Sequence, residues 1–93
     1  MTDSFNYAGL ISRHIKSRLE SFPPQLITQI LEQSGLVMDG DQVRTKSREP
    51  LTDDASFKYK TAIRELLGKS AYEMTKMNFM MAGCRCQDCR GGL

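Results

Sequence analysis

The sequence lacks several features that would identify an enzyme or a membrane protein. It has one histidine, His14, and no cysteine, serine or carboxylate stands at a spacing from it that is typical of a catalytic dyad. No glycine-rich loop precedes a helix that could bind phosphate, since Gly91-Gly92 comes at the end of the sequence. Apolar residues never run for the roughly 20 positions that cross a bilayer. We therefore expect a soluble protein that is not an enzyme.

Cysteine is also scarce, and all of it lies near the C-terminus. Cys84, Cys86 and Cys89 fall within six positions, and the Cys-x-x-Cys pair is followed by glycine, as in a zinc knuckle. Structural zinc needs four ligands, and His14 is the only histidine, so the predicted zinc site is incomplete. Three alternatives stay open: the chain stops before a second knuckle, two chains share the metal, or the cysteines are free thiols. An odd cysteine count and the lack of an apolar signal segment favour a reducing compartment over disulfides.

Charge is distributed unevenly along the chain. The formal net charge is only +2, but residues 1–54 carry six basic and eight acidic side chains, whereas residues 55–93 carry seven basic and three acidic ones. The C-terminal part is therefore the candidate face for an anionic partner.

The N-terminal third has the pattern of two amphipathic helices. Apolar residues recur at three- and four-residue steps over residues 5–21, and Ser4 is placed to cap the first turn. Pro23-Pro24 ends this helix and suits the start of another, over residues 24–34, with Gly35 as a left-handed cap.

A short β-hairpin is predicted next, with one strand on each side of a turn at Gly40. After it, Arg44, Lys46 and Arg48 alternate with hydroxyl residues, so an extended strand would place all three cations on one side. The segment that carries these cations is either a β-hairpin wing that contacts phosphates or an ordinary solvated loop.

Two further helices complete the pattern. The third is expected over residues 53–67, capped by Thr52, with Lys58, Lys60 and Arg64 on its outer surface as candidate nucleic-acid contacts. Its expected core residues are Phe57, Ile63, Leu66 and Leu67. Gly68 should break the chain before a fourth helix over residues 71–81, which a Ser70 to Glu73 capping box would open.

The fourth helix is rich in methionine. It carries Met74, Met77, Phe79, Met80 and Met81. Core packing is the favoured interpretation, because a small domain needs every apolar side chain that it has. The alternative is an adaptable surface for a protein partner.

Taken together, these patterns predict a mostly α-helical domain of three to four helices with a short hairpin. It would span residues 1–83, followed by a cysteine-rich tail or half zinc knuckle over residues 84–93. With 93 residues, the fold is expected to be small or to form a homo-oligomer.

The C-terminal third resembles a known family. Ala71-Tyr72 is followed in order by Gly83, Arg85, Cys86, Asp88, Cys89 and Gly91. This stretch, within residues 60–92, is similar to the segment that leads into the zinc knuckle of lambda-type bacteriophage late antitermination proteins, the Q proteins. The sequence departs from that family at Leu93, where the closing glycine would stand, and it has no second Cys-x-x-Cys.

The resemblance implies a transcription factor that binds phage DNA and RNA polymerase in the cytoplasm of a bacterial host. It also implies a zinc ion that orders the fold, with Cys86 and Cys89 as the ligands that carry over. Two hypotheses follow: a small phage-type transcription regulator that binds DNA, RNA polymerase or both, or a small helical protein-binding inhibitor or adaptor with no nucleic-acid role.

Overall fold

The computed structural model describes residues 6–84 and confirms a mostly helical domain with one hairpin. In chain order the elements are α1 (Tyr7–Arg18), α2 (Pro24–Gln33), β1 (Leu36–Asp39), β2 (Gln42–Thr45), α3 (Asp53–Leu67) and α4 (Lys69–Met81). The predicted cysteine-rich tail after residue 84 lies outside the described residues.

Helix α1 begins two residues later than predicted, because its cap is Asn6. The Oδ1 atom of Asn6 accepts a hydrogen bond from the backbone N–H of Gly9 at 2.9 Å, which satisfies one of the free donors of the first turn. The helix ends at Arg18, earlier than the predicted end at residue 21. Pro23 stands at the N-cap position of α2 without a side-chain hydrogen bond, and Pro24 takes the first helical position, as the sequence predicts. Gly35, with φ of +74°, follows α2 in the left-handed conformation that glycine favours.

The hairpin is antiparallel, with Leu36 opposite Thr45 and Asp39 opposite Gln42. Its two-residue turn has Gly40 first, with φ of +67°, and no positive φ at the second position, which is the pattern of a type II′ turn. A two-residue turn fixes the pairing register, so the sequence of the turn determines which residues face the core.

Helix α3 has the predicted bounds, but both predicted side-chain caps around it are wrong. Thr52 precedes α3 without a side-chain hydrogen bond to it, and Asp53 and Asp54 provide the negative charge near its N-terminus. Gly68, with φ of +102°, ends α3 and directly precedes α4. Ser70 is therefore inside the first turn of α4, so it cannot be the N-cap that the capping box requires.

Helix α3 lies at the centre of the fold, in contact with α1, α2 and α4, while the hairpin packs on α1 and α2. All six elements between residues 6 and 84 contribute to the buried core, whose members include Ile11, Ile30, Leu36, Ile63 and Phe79, each at most 1 % exposed. None of the described helices combines the length and the apolar character that a bilayer crossing requires.

Candidate functional site

The predicted cations of the hairpin do not share one face of a strand. Strand β2 ends at Thr45, and a turn follows in which the backbone N–H of Arg48 donates to the Thr45 carbonyl at 3.1 Å. Arg48 has a φ of +68°, which a non-glycine residue seldom adopts. Arg44 lies on β2, with its Nε atom 3.3 Å from an Asp39 carboxylate oxygen. Lys46 and Arg48 are exposed, and neither forms an ion pair within residues 6–84.

The predicted cations of α3 have three different environments. Lys58 is exposed and forms an ion pair with Asp54 one turn earlier at 3.2 Å. The Arg64 guanidinium is also exposed and lies 5.5 Å from the centre of the Tyr72 ring, within the range of a cation–π contact.

The expectation that Lys60 is exposed is wrong, because its side chain is 0 % exposed. Its Nζ atom lies 5.5 Å from the centre of the Phe79 ring. Ser56, Tyr59, Lys60 and Ile63 are buried and recur at helical spacing, so they form the inward stripe of α3. Phe57, Leu66 and Leu67 are only half-buried, so the true core face is rotated from the predicted one.

One cleft does bring two of the predicted nucleic-acid residues together. Lys46 after the hairpin and Lys58 on α3 both line a cavity of about 350 Å³. Hydroxyl side chains of Thr45 and Ser47 also line it, as do the carboxylates of Glu49 and Asp54. Anions could meet two ammonium groups here, in competition with two resident carboxylates.

The predicted zinc site lies mostly beyond the described residues. Cys86 and Cys89 are outside them, while Cys84 is packed in the core at 7 % exposure. The Cys84 sulfur is 3.2 Å from the hydroxyl oxygen of Ser56 on α3. Between residues 6 and 84, no three histidine, cysteine or acidic side chains are grouped so as to hold a metal ion. The described part of the chain therefore does not by itself fit a zinc site.

His14 connects three helices in a buried polar network. Its Nδ1 atom lies 2.8 Å from the hydroxyl oxygen of Tyr59 on α3, and its Nε2 atom lies 3.3 Å from the hydroxyl oxygen of Thr75 on α4. The Thr75 hydroxyl donates to the Ala71 carbonyl at 2.8 Å, so it can only accept from His14. The network therefore assigns the proton of a neutral imidazole to Nε2, with the Tyr59 hydroxyl donating to Nδ1.

Aromatic packing encloses the same imidazole. The ring contacts Tyr59 and Phe79 edge to face at centroid distances of 5.6 and 5.4 Å, and those two rings stack on each other. Burial, and then the charge of Arg18, lowers the pKa of His14 from 6.5 to about 4. Burial likewise raises the pKa of Tyr59. Both groups therefore stay neutral at pH 7.

Three methionines of α4 form an exposed apolar stripe, contrary to the favoured expectation of core packing. Met74, Met77 and Met81 are 60, 64 and 81 % exposed, while Thr75 and Phe79 occupy the buried side of the same helix. The spacing of three and four residues places the three methionines on one face. We call these three residues the methionine face.

An apolar groove adjoins the methionine face, between the C-terminal part of α1 and helix α4. It has a volume of about 230 Å³, and its apolar lining comes from Leu19, Phe22, Ile63, Leu67, Ala71 and Met74. Phe22, which lies between α1 and α2, is itself 37 % exposed. Met74 belongs to both surfaces, so the groove and the methionine face are continuous.

Sequence reasoning could have found the methionine face but not the groove. Positions 74, 77 and 81 share a helical face that excludes Phe79, which is visible from spacing alone. The groove depends on α1 lying beside α4, and no local pattern encodes that placement.

Comparison of the chain with protein-family models, curated proteins and solved structures finds no match.

Proposed function

We propose that this chain is a small regulatory protein that acts by binding a protein of the transcription machinery, RNA polymerase, through the methionine face. The observation that carries the proposal is the exposure of Met74, Met77 and Met81, from 60 to 81 %, on one side of α4. Small soluble domains bury such side chains when they can, and a contiguous exposed apolar patch is typical of an interaction surface.

The side-chain chemistry also suits a protein partner. Methionine is flexible and polarizable, so a methionine surface adapts to the shape of an apolar partner. RNA polymerase as the partner, and the cytoplasm of a bacterial host as the location, come from the resemblance to phage late antitermination proteins. The proposed role is binding rather than catalysis. If the chain binds zinc, Cys86 and Cys89 would be the ligands.

A second candidate function is nucleic-acid binding, and the cleft that Lys46 and Lys58 share favours it. With Arg48 nearby in sequence, these cations could contact phosphates. The surface is smaller than predicted, because Lys60 is buried, Arg44 is paired with Asp39, and Lys58 is paired with Asp54.

Binding to purified bacterial RNA polymerase tests the first proposal. Met77→Gln should weaken binding about fivefold, since it removes apolar contact worth about 1 kcal/mol. Met38→Gln is the matched control, because Met38 is also exposed, at 39 %, but lies on the hairpin. Equal effects of the two substitutions, or no binding of the wild-type chain, would contradict the proposal.

Fluorescence anisotropy with a DNA duplex at two salt concentrations tests the second candidate. Replacing Lys46 and Lys58 by glutamine should reduce the affinity for the duplex. The slope of the logarithm of the binding constant against the logarithm of the salt concentration should become shallower by about 0.9 for each phosphate that is no longer neutralised. Lys69→Gln, at an exposed position at the start of α4, is the control. If the wild-type chain does not bind the duplex at low salt, the nucleic-acid role is wrong.

A further inference from the structure

We propose that the groove between α1 and α4 receives an amphipathic helix of the partner, with apolar residues on the methionine face and carboxylates toward Arg13 and Arg18. This inference rests on the proposed protein-binding function and specifies the chemistry of the bound segment.

The shape of the surface suits a helix. Leu19, Ile63 and Leu67 line the groove together with the exposed Phe22 and Met74, and its polar lining comes from His14, Arg18, Thr75 and Asn78. The methionine face extends this apolar surface along two turns of α4, to Met81. An apolar groove that continues into an exposed apolar helix face suits helix-in-groove recognition, in which the partner supplies anchors at three- and four-residue steps.

The charge around the groove determines which helix would fit. Arg13 and Arg18 are exposed on α1, and no described carboxylate forms an ion pair with either of them. Arg18 lines the groove, and both arginines line an adjoining cavity of about 190 Å³ that reaches Asn78 on α4. On α4, the acidic residue nearest the methionine face is Glu73. At 100° per residue it lies about 40° from Met77 around the helix axis, on the side of Met77 away from the groove. The α1 side is therefore cationic, so the partner helix should carry its carboxylates on the flank that faces α1.

The same charges disfavour a second copy of this chain as the occupant. In a symmetric dimer the same patch meets itself, so the apolar surfaces could pair only by bringing the arginines of both copies together. Like charges placed across an interface destabilise it. The carboxylates of an acidic partner helix can instead form an ion pair with each of the two arginines.

A synthetic amphipathic peptide provides a direct test with the full chain. The probe is a fluorescein-labelled helix of about 18 residues, or five turns, with leucine on one face and glutamate on one flank. A second peptide carries lysine in place of every glutamate. By anisotropy at low salt, the acidic peptide should bind about tenfold more tightly, since its carboxylates pair with the two arginines and the basic peptide is repelled.

Variants of the chain locate the bound peptide. Arg13→Glu combined with Arg18→Glu should reverse the preference between the two peptides, whereas Arg48→Glu, an exposed control beyond the hairpin, should leave it unchanged. Met77→Gln should weaken binding of the acidic peptide about fivefold, and Met38→Gln should leave that binding unchanged.

Three results would overturn the inference: equal affinity for both peptides, a preference that survives reversal of the two arginines, or dimerisation of the wild-type chain that Met77→Gln abolishes. RNA polymerase binding that is weakened in Met77→Gln but unaffected by the arginine variants would reject the acidic helix and leave the proposed function standing. Peptide binding without RNA polymerase binding would reject the proposed partner alone.

Discussion

Lowering the pH from 7 toward 4 should destabilise this protein, because His14 is buried in its neutral form. Its pKa is lowered from 6.5 to about 4 in the folded chain. The unfolded chain therefore binds a proton between these values that the folded chain does not, and stability falls as pH falls through this window. A tenfold difference in proton affinity is worth about 1.4 kcal/mol, so the full cost is about 3 kcal/mol, of which about 2 kcal/mol is lost by pH 5.

Urea unfolding at pH 7 and pH 5, followed by circular dichroism, measures this cost. A loss of about 2 kcal/mol corresponds to a decrease of about 10 °C in melting temperature for a domain of this size. In His14→Gln, which has no imidazole to titrate, most of the pH dependence between 7 and 5 should disappear. If the wild-type chain loses less than about 0.5 kcal/mol, or the variant loses as much as the wild type, the buried neutral histidine is not responsible.

Further predictions concern the core, the first helix cap and the metal. Ile30→Asp should abolish the cooperative melt, because Ile30 is 1 % exposed and a lone carboxylate there would be unpaired, whereas Thr28→Asp on the exposed side of α2 should fold. Asn6→Ala should lower the free energy of unfolding by about 1 kcal/mol in urea titrations, through loss of the bond to the Gly9 N–H, and Asn6→Asp should restore most of it. Elemental analysis of the purified chain should give well under one zinc ion per chain, since an incomplete thiolate set binds weakly. Tight binding of one zinc ion that Cys86→Ser leaves intact would contradict the knuckle hypothesis.

The sequence predicted the order and kind of every element, because those signals are local. Helix α3 has its predicted bounds, since the apolar period continues to Leu67 and Gly68 ends it. The hairpin was predictable because Gly40 supplies a backbone conformation that other residues seldom adopt. Caps were less predictable, since Thr52 and Ser70 have the right side chains but make no capping bond.

The candidate surfaces were only partly predictable, because exposure depends on which helix covers which face. A period of apolar residues around Phe57 and Leu66 indicated one face of α3, but packing by α1 and α4 buries the stripe that contains Tyr59 and Lys60. Lys60 could therefore not be identified as buried from composition or spacing, since a lysine is rarely found inside a small domain.

Local sequence patterns were enough to predict the helices and the hairpin of residues 6–84 and the clustering of methionines on one helix. Tertiary packing leaves Met74, Met77 and Met81 facing solvent beside an apolar groove. It also decided that His14 meets Tyr59 and Thr75, which are 45 and 61 positions away in the chain. Turns and helix periods act between near neighbours, whereas burial depends on contacts between helices that no local pattern specifies.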